Sequence, residues 1–304
     1  MQKIQRPSHG ITYAVLFLAI LLIFCFAAPV ISLIPLFSIA AVAPAPSASS
    51  YIHFSVDDTI DLFHDLTVNE TVYDSIFDQP DLAFFKQLHD QYGISVTFYC
   101  FYSWDTESNT FNLSDATDAF ASEFTENADW LRFGFHAWDA PAYEKLTPEN
   151  ETEWYTETVD QLIRITGSEN CIDHFLRLDR YTADEETLQA LYSLPNGITG
   201  VLCPDPGSES QAYDLSSDEM KFLEQNDWYT DETGKNYTLT DLRFEAITSI
   251  ADFYGQLNTI AGQERIVVFT HAWFIQDPDI QRYMSWLAQY GQAANYQFDF
   301  VHLS

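Results

Sequence analysis

Several short apolar runs in this sequence end in an ionisable side chain. The first, YIHFSVDD, closes on the adjacent carboxylates Asp57 and Asp58, and later runs of the same shape end at His136, Arg177 and His271. Runs of this kind predict strands of an α/β barrel, where the strand ends that carry functional residues share one edge. We therefore expect these side chains to meet at one site, although they are spread over more than two hundred positions.

Helix signals separate these runs. A proline at the first helical position or a capping box marks the starts, and a glycine marks several ends. The predicted helices begin at Pro80, Pro148, Thr182 and Pro278, and those that open on proline end at Gly93, Gly167 and Gly291. Strand and helix alternate about seven times, which predicts an α/β fold with a parallel sheet, closed into a barrel or wound open. A hairpin or a loop insertion is expected around 228–240. Since the sequence contains no glycine-rich phosphate-binding motif, nucleotide binding has no support.

The N-terminal segment has the character of a membrane anchor. Residues 11–28 form a run of eighteen residues without a charge, and Lys3 and Arg6 precede it. This length spans a bilayer as a helix, and the basic flank favours a cytoplasmic N-terminus. The alternative is a cleaved signal peptide with its site near 41–43. We expect the anchor, because the run is long and Pro44 directly follows that site.

These features divide the chain into three parts. An anchor or signal segment occupies 1–43, a Pro/Ser/Ala linker occupies 44–50, and one domain occupies 51–304. The last part is of a size that suits a single α/β domain. It is expected outside the cytoplasm, anchored to the membrane if the segment is kept and secreted if it is cleaved.

Acidic residues strongly outnumber basic ones. The chain has 45 Asp and Glu against 13 Lys and Arg, and every acid follows residue 50. A charge of this sign repels phosphate backbones, which argues against nucleic acid as a partner. It leaves a solvated acidic surface or an affinity for cationic ligands. The aromatic content of 16% suits stacking on sugars, although most of these side chains are expected in the core.

The residues at the strand ends offer the chemistry of a hydrolase. One of the adjacent carboxylates Asp57 and Asp58 can hold a divalent metal while the other takes a proton from water, although such pairs also cap helices. His136 is a ligand or a core histidine, and His271 is a general acid or a histidine bonded to a nearby loop. Arg177 orients a catalytic carboxylate or forms a surface ion pair.

Other charged residues near these runs have two interpretations as well. Asp139 follows His136 by three residues and would reach the same point if the chain turned helically there. Asp241, Arg243 and Glu245 would support the site from behind or form the entry of a helix.

The order of these groups resembles the polysaccharide deacetylase family, carbohydrate esterase family 4, over essentially all of 51–304. That family carries the motifs T-F-D-D-G, H-S/T-x-x-H, R-x-P-x and L-x-x-H in this order. The corresponding stretches here are Ser55-Val56-Asp57-Asp58-Thr59, His136-Ala137-Trp138-Asp139-Ala140, Arg177-Leu178-Asp179-Arg180-Tyr181 and Val268-Phe269-Thr270-His271.

The resemblance implies a role for each matching residue. Asp57 would be the general base, oriented by Arg177, and His271 the general acid. Asp58 and His136 would bind a divalent metal, zinc or a similar cation. The implied fold is a distorted (β/α)7 barrel, and the implied activity is removal of N- or O-linked acetyl groups from a carbohydrate.

The motifs also depart from the family's pattern. The second histidine of the metal set falls on Ala140. We expect Asp139 to replace it, which makes the site richer in oxygen, and a residue from another loop is the alternative. Thr59 stands in place of a glycine, and the proline of the third motif is absent.

Three functions are therefore weighed. The first is a membrane-anchored, metal-dependent carbohydrate deacetylase. The second is a catalytically inactive module that binds glycan or a partner protein at the cell surface, with Ala140 marking a lost metal site. The third is a glycoside hydrolase that uses two carboxylates.

Overall fold

A parallel sheet forms the centre of the fold, as the alternation of strands and helices predicted. The structure is a computed structural model that describes residues 49–105, 110–142, 146–206 and 212–302. Its strands are β1 (Tyr51–Thr59), β2 (Val96–Phe101), β3 (Ser103–Asp105), β4 (Thr110–Asn112), β5 (Leu131–Ala137), β6 (Phe175–Leu176), β7 (Gly200–Cys203), β8 (Trp228–Thr230), β9 (Asn236–Leu239), β10 (Leu242–Arg243), β11 (Arg265–His271) and β12 (Gln297–Phe298). The main sheet has the order β10-β11-β1-β2-β5, and β12 pairs with β1. Every pairing within this sheet is parallel.

Helices connect the parallel strands. They are α1 (Asp61–Val68), α2 (Pro80–Tyr92), α3 (Ala121–Glu126), α4 (Pro148–Thr166), α5 (Glu185–Tyr192), α6 (Ser217–Asn226), α7 (Ile250–Ile260) and α8 (Pro278–Ala294). The order of strands and helices confirms the α/β class with a parallel central sheet.

A second sheet is joined to the main sheet at two places. Its order is β6-β7-β9-β8, and β8 pairs antiparallel with β9, which confirms the expected hairpin. Near β5, a parallel bridge joins Phe133 to Ile172, just before β6. On the other side, the chain passes from β9 to β10, where the Asp241 amide donates to the Val267 carbonyl at 2.8 Å. The strand ends of both sheets are thereby brought around one centre.

Aromatic side chains fill the space between the main sheet and its helices. Phe98 of β2 lies 5.3 Å from Phe85 of α2 and 5.7 Å from Phe133 of β5, measured between ring centroids. Phe63 of α1 packs on Phe133 at 5.1 Å. All four rings are buried, and each contributes about 1.5–3 kcal/mol relative to exposure. β1, β2 and β11 are buried along nearly their whole length, so both of their faces are covered.

The proline-marked helix starts are confirmed at Pro80, Pro148 and Pro278. Gly93 and Gly167 end their helices in the left-handed conformation, with φ of 76° and 77°.

Two helix boundaries were predicted wrongly. The expected capping box at Thr182 does not form, because the Asp184 side chain caps α5 by accepting from the Thr187 amide at 2.8 Å. Gly291 does not end α8, which continues to Ala294. A Cβ at Gly291 would lie 2.7 Å from the Ile52 Cδ1 atom, so close packing rather than a turn requires this glycine.

The predicted anchor or signal segment at 1–43 lies outside the described residues. Within the described residues, no helix is both long enough and apolar enough to cross a bilayer. The boundaries at 43 and 50 stay predictions.

Gly200 provides a test of the packing between β6 and β7. A Cβ there would lie 2.1 Å from the Phe175 ring, whereas a Cβ at Gly255 of α7 would meet nothing within 4 Å. We expect Gly200→Ala to lower the free energy of unfolding by about 1–3 kcal/mol through overpacking. Gly255→Ala should leave it unchanged or raise it by up to about 1 kcal/mol, through helix propensity. Urea titration measures both, and equal effects would contradict the packing described here.

Candidate active site

The carboxyl ends of β1 and β11 bring the first predicted residues together. Asp57 and His271 are direct partners in the parallel register of these strands. On the other side of β1 the register with β2 shifts between Val56 and Thr59. Asp58 has a φ of 59°, in the left-handed region that few residues other than glycine adopt. This irregularity turns Asp58 toward the groups beyond the strand end, and both carboxylates can therefore serve one site.

Arg177 is buried at the centre of the site and holds Asp57. It follows β6, is 1% exposed, and donates from Nη1 to Asp57 Oδ1 at 2.8 Å. The same nitrogen donates to Ser55 Oγ at 2.9 Å, and Nη2 donates to Thr240 Oγ1 at 3.2 Å. The Phe269 ring lies 4.1 Å from the guanidinium carbon. Burial lowers the pKa of the Arg177 guanidinium, but the charge of Asp57, together with Tyr181 and Tyr99, raises it overall.

Asp58, His136 and Asp179 form a cluster of potential metal ligands. One ligand atom from each lies within 4.8 Å of the others. His136 Nε2 is 3.0 Å from Asp58 Oδ1 and 3.9 Å from Asp179 Oδ1. Burial lowers the pKa of His136, but the hydrogen bond to Asp58 and the charge of Asp57 prevail and raise it to about 9. Burial also raises the pKa of Asp179, which the charge of His136 opposes.

This donor set fits a divalent cation. His136 Nδ1 donates to the Arg177 carbonyl at 2.5 Å, so the ring is oriented with Nε2 toward the two carboxylates. Such an outer hydrogen bond is the usual way in which proteins orient a metal-binding imidazole. Burial acts to raise the pKa of Asp58, but its hydrogen bond to His136 and the charge of His136 lower it overall, whereas the charge of Asp58 helps to raise the pKa of Asp179.

His271 lies beside this cluster and is oriented by Glu245. Its Nδ1 atom hydrogen-bonds to Glu245 Oε1, and its Nε2 atom is 3.9 Å from Asp58 Oδ2. Burial lowers the pKa of His271, but the hydrogen bond to Glu245 and the charge of Asp57 raise it overall. Trp273 stacks on the imidazole with ring centroids 4.9 Å apart and is itself 59% exposed. These contacts indicate that Glu245 supports the site by orienting His271, which is one of the two roles considered for it.

The structure brings five of the six predicted site residues together. These are Asp57, Asp58, His136, Arg177 and His271. The predicted ligand Asp139 does not belong to the cluster of described ligand atoms. No helix forms directly after His136; instead Trp138 stacks on Tyr102 with centroids 3.9 Å apart. Asp139 lines a separate pocket with Trp104 and Ala140, and its role as a ligand stays a prediction.

Sequence reasoning missed Asp179. It lies two residues after Arg177, within the third motif, and belongs to the cluster of potential ligand atoms that Asp139 was expected to join. A short 3-10 turn at Asp179–Tyr181 places it there, and Arg180 and Tyr181 both have φ of 54°. The signal in the sequence that could have identified Asp179 was its position close to the strand-end residue Arg177.

No protein-family model matches this sequence. No curated protein matches it either.

Solved structures do match. The chain resembles the polysaccharide deacetylases. A peptidoglycan N-acetylglucosamine deacetylase is 13% identical, with a TM-score of 0.40, over 84% of this chain and 87% of that one. Peptidoglycan deacetylase PdaC from Bacillus subtilis is 12% identical, with a TM-score of 0.40, over 83% and 88%. The Xyl-CE4 domain of a multidomain xylanase, from the hindgut metagenome of Trinervitermes trinervoides, is 8% identical with a TM-score of 0.43, over 83% and 86%.

The buried pair of Arg177 and Asp57 should be important for stability. Arg177→Met leaves the Asp57 carboxylate buried without its cation, and we expect a loss of about 3–5 kcal/mol in the free energy of unfolding. The double variant Asp57→Asn with Arg177→Met should lose less, since no unpaired charge remains. Lys86→Met, which breaks an exposed pair with Asp90, is the control and should cost no more than about 1 kcal/mol. Denaturant titration measures the free energy of unfolding of each variant, and a double variant that loses as much as Arg177→Met alone would contradict the coupling.

Proposed function

We propose that this chain is a divergent polysaccharide deacetylase, a metal-dependent hydrolase that removes N- or O-linked acetyl groups from a cell-surface or extracellular carbohydrate. One observation carries the proposal. Asp57, which a buried arginine holds, is the register partner of His271, which a glutamate holds. Both lie beside a three-residue cluster that fits a cation. This is a base, an acid and a metal site within one group of strand ends.

Asp57 is proposed as the general base. The hydrogen bond from Arg177 Nη1 fixes the orientation of its carboxylate, and Asp57 is buried, so its position varies little. A base held in this way takes a proton from a water that attacks the acetyl carbonyl. The cation, zinc or a similar ion held by Asp58, His136 and Asp179, would supply polarisation of that carbonyl and a lowered pKa of the water.

His271 is proposed as the general acid. Glu245 holds its Nδ1 side, so Nε2 faces the cluster and can give a proton to the leaving amine or alcohol. The raised pKa of His271 keeps the imidazolium form populated to higher pH than an ordinary histidine would allow.

The remaining features of the proposal follow the same resemblance. We infer that the two joined sheets form a distorted (β/α)7 barrel. The parallel arrangement of strands continues at both places where the two sheets meet. The apolar run at 11–28 supports a membrane anchor with the domain outside the cytoplasm, or a secreted protein if that run is removed. A carbohydrate polymer or oligosaccharide is the proposed partner.

Asp58→Ala tests the metal-dependent activity. We expect the purified full chain to bind about one zinc ion and to release acetate from acetylated oligosaccharides, as the cluster provides a single site. Asp58→Ala should bind no zinc and lose acetate release by at least about 100-fold, because a ligand is gone. Asp90→Asn, at an exposed position on α2, is the control. Zinc content by mass spectrometry and acetate release are measured. If neither wild type nor variant binds metal, the mechanism fails.

Glu245→Gln tests the assignment of the acid. Removing the charged hydrogen-bond partner lowers the pKa of His271, so the imidazolium is lost at lower pH. We expect the alkaline limb of the kcat/KM profile to move to lower pH than in wild type. An alkaline limb that stays in place would show that another group, and not His271, is the acid.

An inactive glycan-binding module is the second candidate. The observations in its favour are Ala140 at the place of a ligand histidine and a surface groove of about 620 Å³. Tyr102, Trp138 and Trp154 line this groove with their rings stacked in sequence. Glycan binding that persists with a chelator and in His136→Ala, without any acetate release, would favour this function over the hydrolase.

A further inference from the structure

The groove lined by Tyr102, Trp138 and Trp154 lies beside the carboxyl end of β5. Its volume of about 620 Å³ is within the range of ligand sites. Trp138 follows the proposed metal ligand His136 by two residues. Two residues span at most about 7 Å of backbone. A ligand made of several units can therefore reach from the cluster into the groove.

Backbone hydrogen bonds position one wall of this groove next to the site. The Tyr102 amide donates to the Ala137 carbonyl at 3.1 Å, and the Ser103 amide donates to the Trp138 carbonyl at 2.8 Å. These bonds continue the parallel pairing of β2 with β5 beyond the ends of both strands. The same two strands therefore place His136 and this wall.

Three roughly parallel aromatic rings give the groove its apolar surface. Tyr102 and Trp138 stack with ring centroids 3.9 Å apart and planes inclined by 11°. Trp154 of α4 follows Trp138 at 6.1 Å and 29°. Both indoles are partly exposed. Aromatic rings of this kind pack against the apolar face of a sugar and also attract a cation.

The charged side chains that line the groove are acidic. Glu153 and Glu157 lie one turn apart on α4, and no Lys or Arg is among the described residues that line the groove. Tyr102 Oη donates to Glu157 Oε1 at 3.4 Å, which places this carboxylate beside the rings. Carboxylates next to indole rings attract a cation and repel an anion, as does the net charge of −32 on the chain.

We propose that this groove is a subsite for amino sugars, the units that remain when N-linked acetyl groups are removed. Hydrolysis of such a group releases acetate and leaves an amine, which takes up a proton at neutral or lower pH. The amino sugar then presents a positive charge to Glu153 and Glu157 and a ring face to the indoles. The inference rests on the proposed function and narrows it to N-linked acetyl groups of a polymer. Deacetylated units occupy the groove while a neighbouring acetylated unit lies at the cluster.

Binding to the purified full chain tests this proposal. A short oligomer of β-1,4-linked glucosamine, its fully N-acetylated counterpart and a lysine oligomer of the same charge are titrated by calorimetry. A chelator is present so that no acetyl group is removed, and each titration is made at low and at high salt. We expect the glucosamine oligomer to bind more tightly than the other two by at least about 5-fold, and to lose affinity as salt rises.

Two variants test whether the groove is the site of this binding. Trp154→Ala removes an indole and should weaken binding of the glucosamine oligomer by at least about 5-fold. Glu153→Gln with Glu157→Gln keeps the side-chain sizes and should weaken it by roughly 3- to 10-fold, with less dependence on salt. The controls are Trp228→Ala, an exposed indole outside the groove, and Asp160→Asn, an exposed acid of the same helix. Both should bind as wild type.

The outcomes separate this inference from the proposed function. If the glucosamine oligomer binds no more tightly than the other two, or if the groove variants bind it as wild type does, the inference is wrong, whether or not acetate is released. If binding behaves as expected but the zinc-loaded chain releases no acetate, the amino-sugar site stands and the hydrolase proposal fails. Acetate release from O-acetylated oligosaccharides alone would contradict the narrowing to N-linked groups.

Discussion

The buried Arg177–Asp57 pair is the interaction on which the site depends. A guanidinium that is 1% exposed must be compensated where it lies, since a charge removed from water is costly. Its partners come from separate parts of the chain: Ser55 and Asp57 from β1, and Thr240 from the passage between β9 and β10. The Arg177 carbonyl in turn orients His136. One residue therefore ties together both sheets, the proposed base and a proposed ligand.

The charge around this pair explains why a cation suits the site. Asp58 and Asp179 bring carboxyl groups close to His136, and Glu245 brings another to His271. Burial raises the pKa of Asp179, the charge of His136 opposes this shift, and the charge of Asp58 adds to it. A bound cation would favour the ionised forms of these carboxyl groups.

Much of the fold was accessible from local patterns. Apolar runs predicted β1, β5 and β11, and proline starts predicted α2, α4 and α8. The predictions failed where tertiary contacts compete with local signals. Gly291 looks like a helix-ending glycine in the sequence but lies inside α8. A glycine is needed there because Ile52 and Phe298 pack closely against it. Asp184 was overlooked because Thr182 and Glu185 imitate a capping box, whereas the backbone enters the helix two residues later.

The sequence by itself determined which residues stand at or just after strand ends, because the apolar pattern of each run marks it as a strand. Asp57, His136, Arg177 and His271 follow from that alone. The tertiary structure decided which further carboxyl groups join them. Asp179 depends on a turn with left-handed residues, and Glu245 on the register of β10 against β11. These placements arise from contacts between distant segments, and no periodicity within a single segment records them.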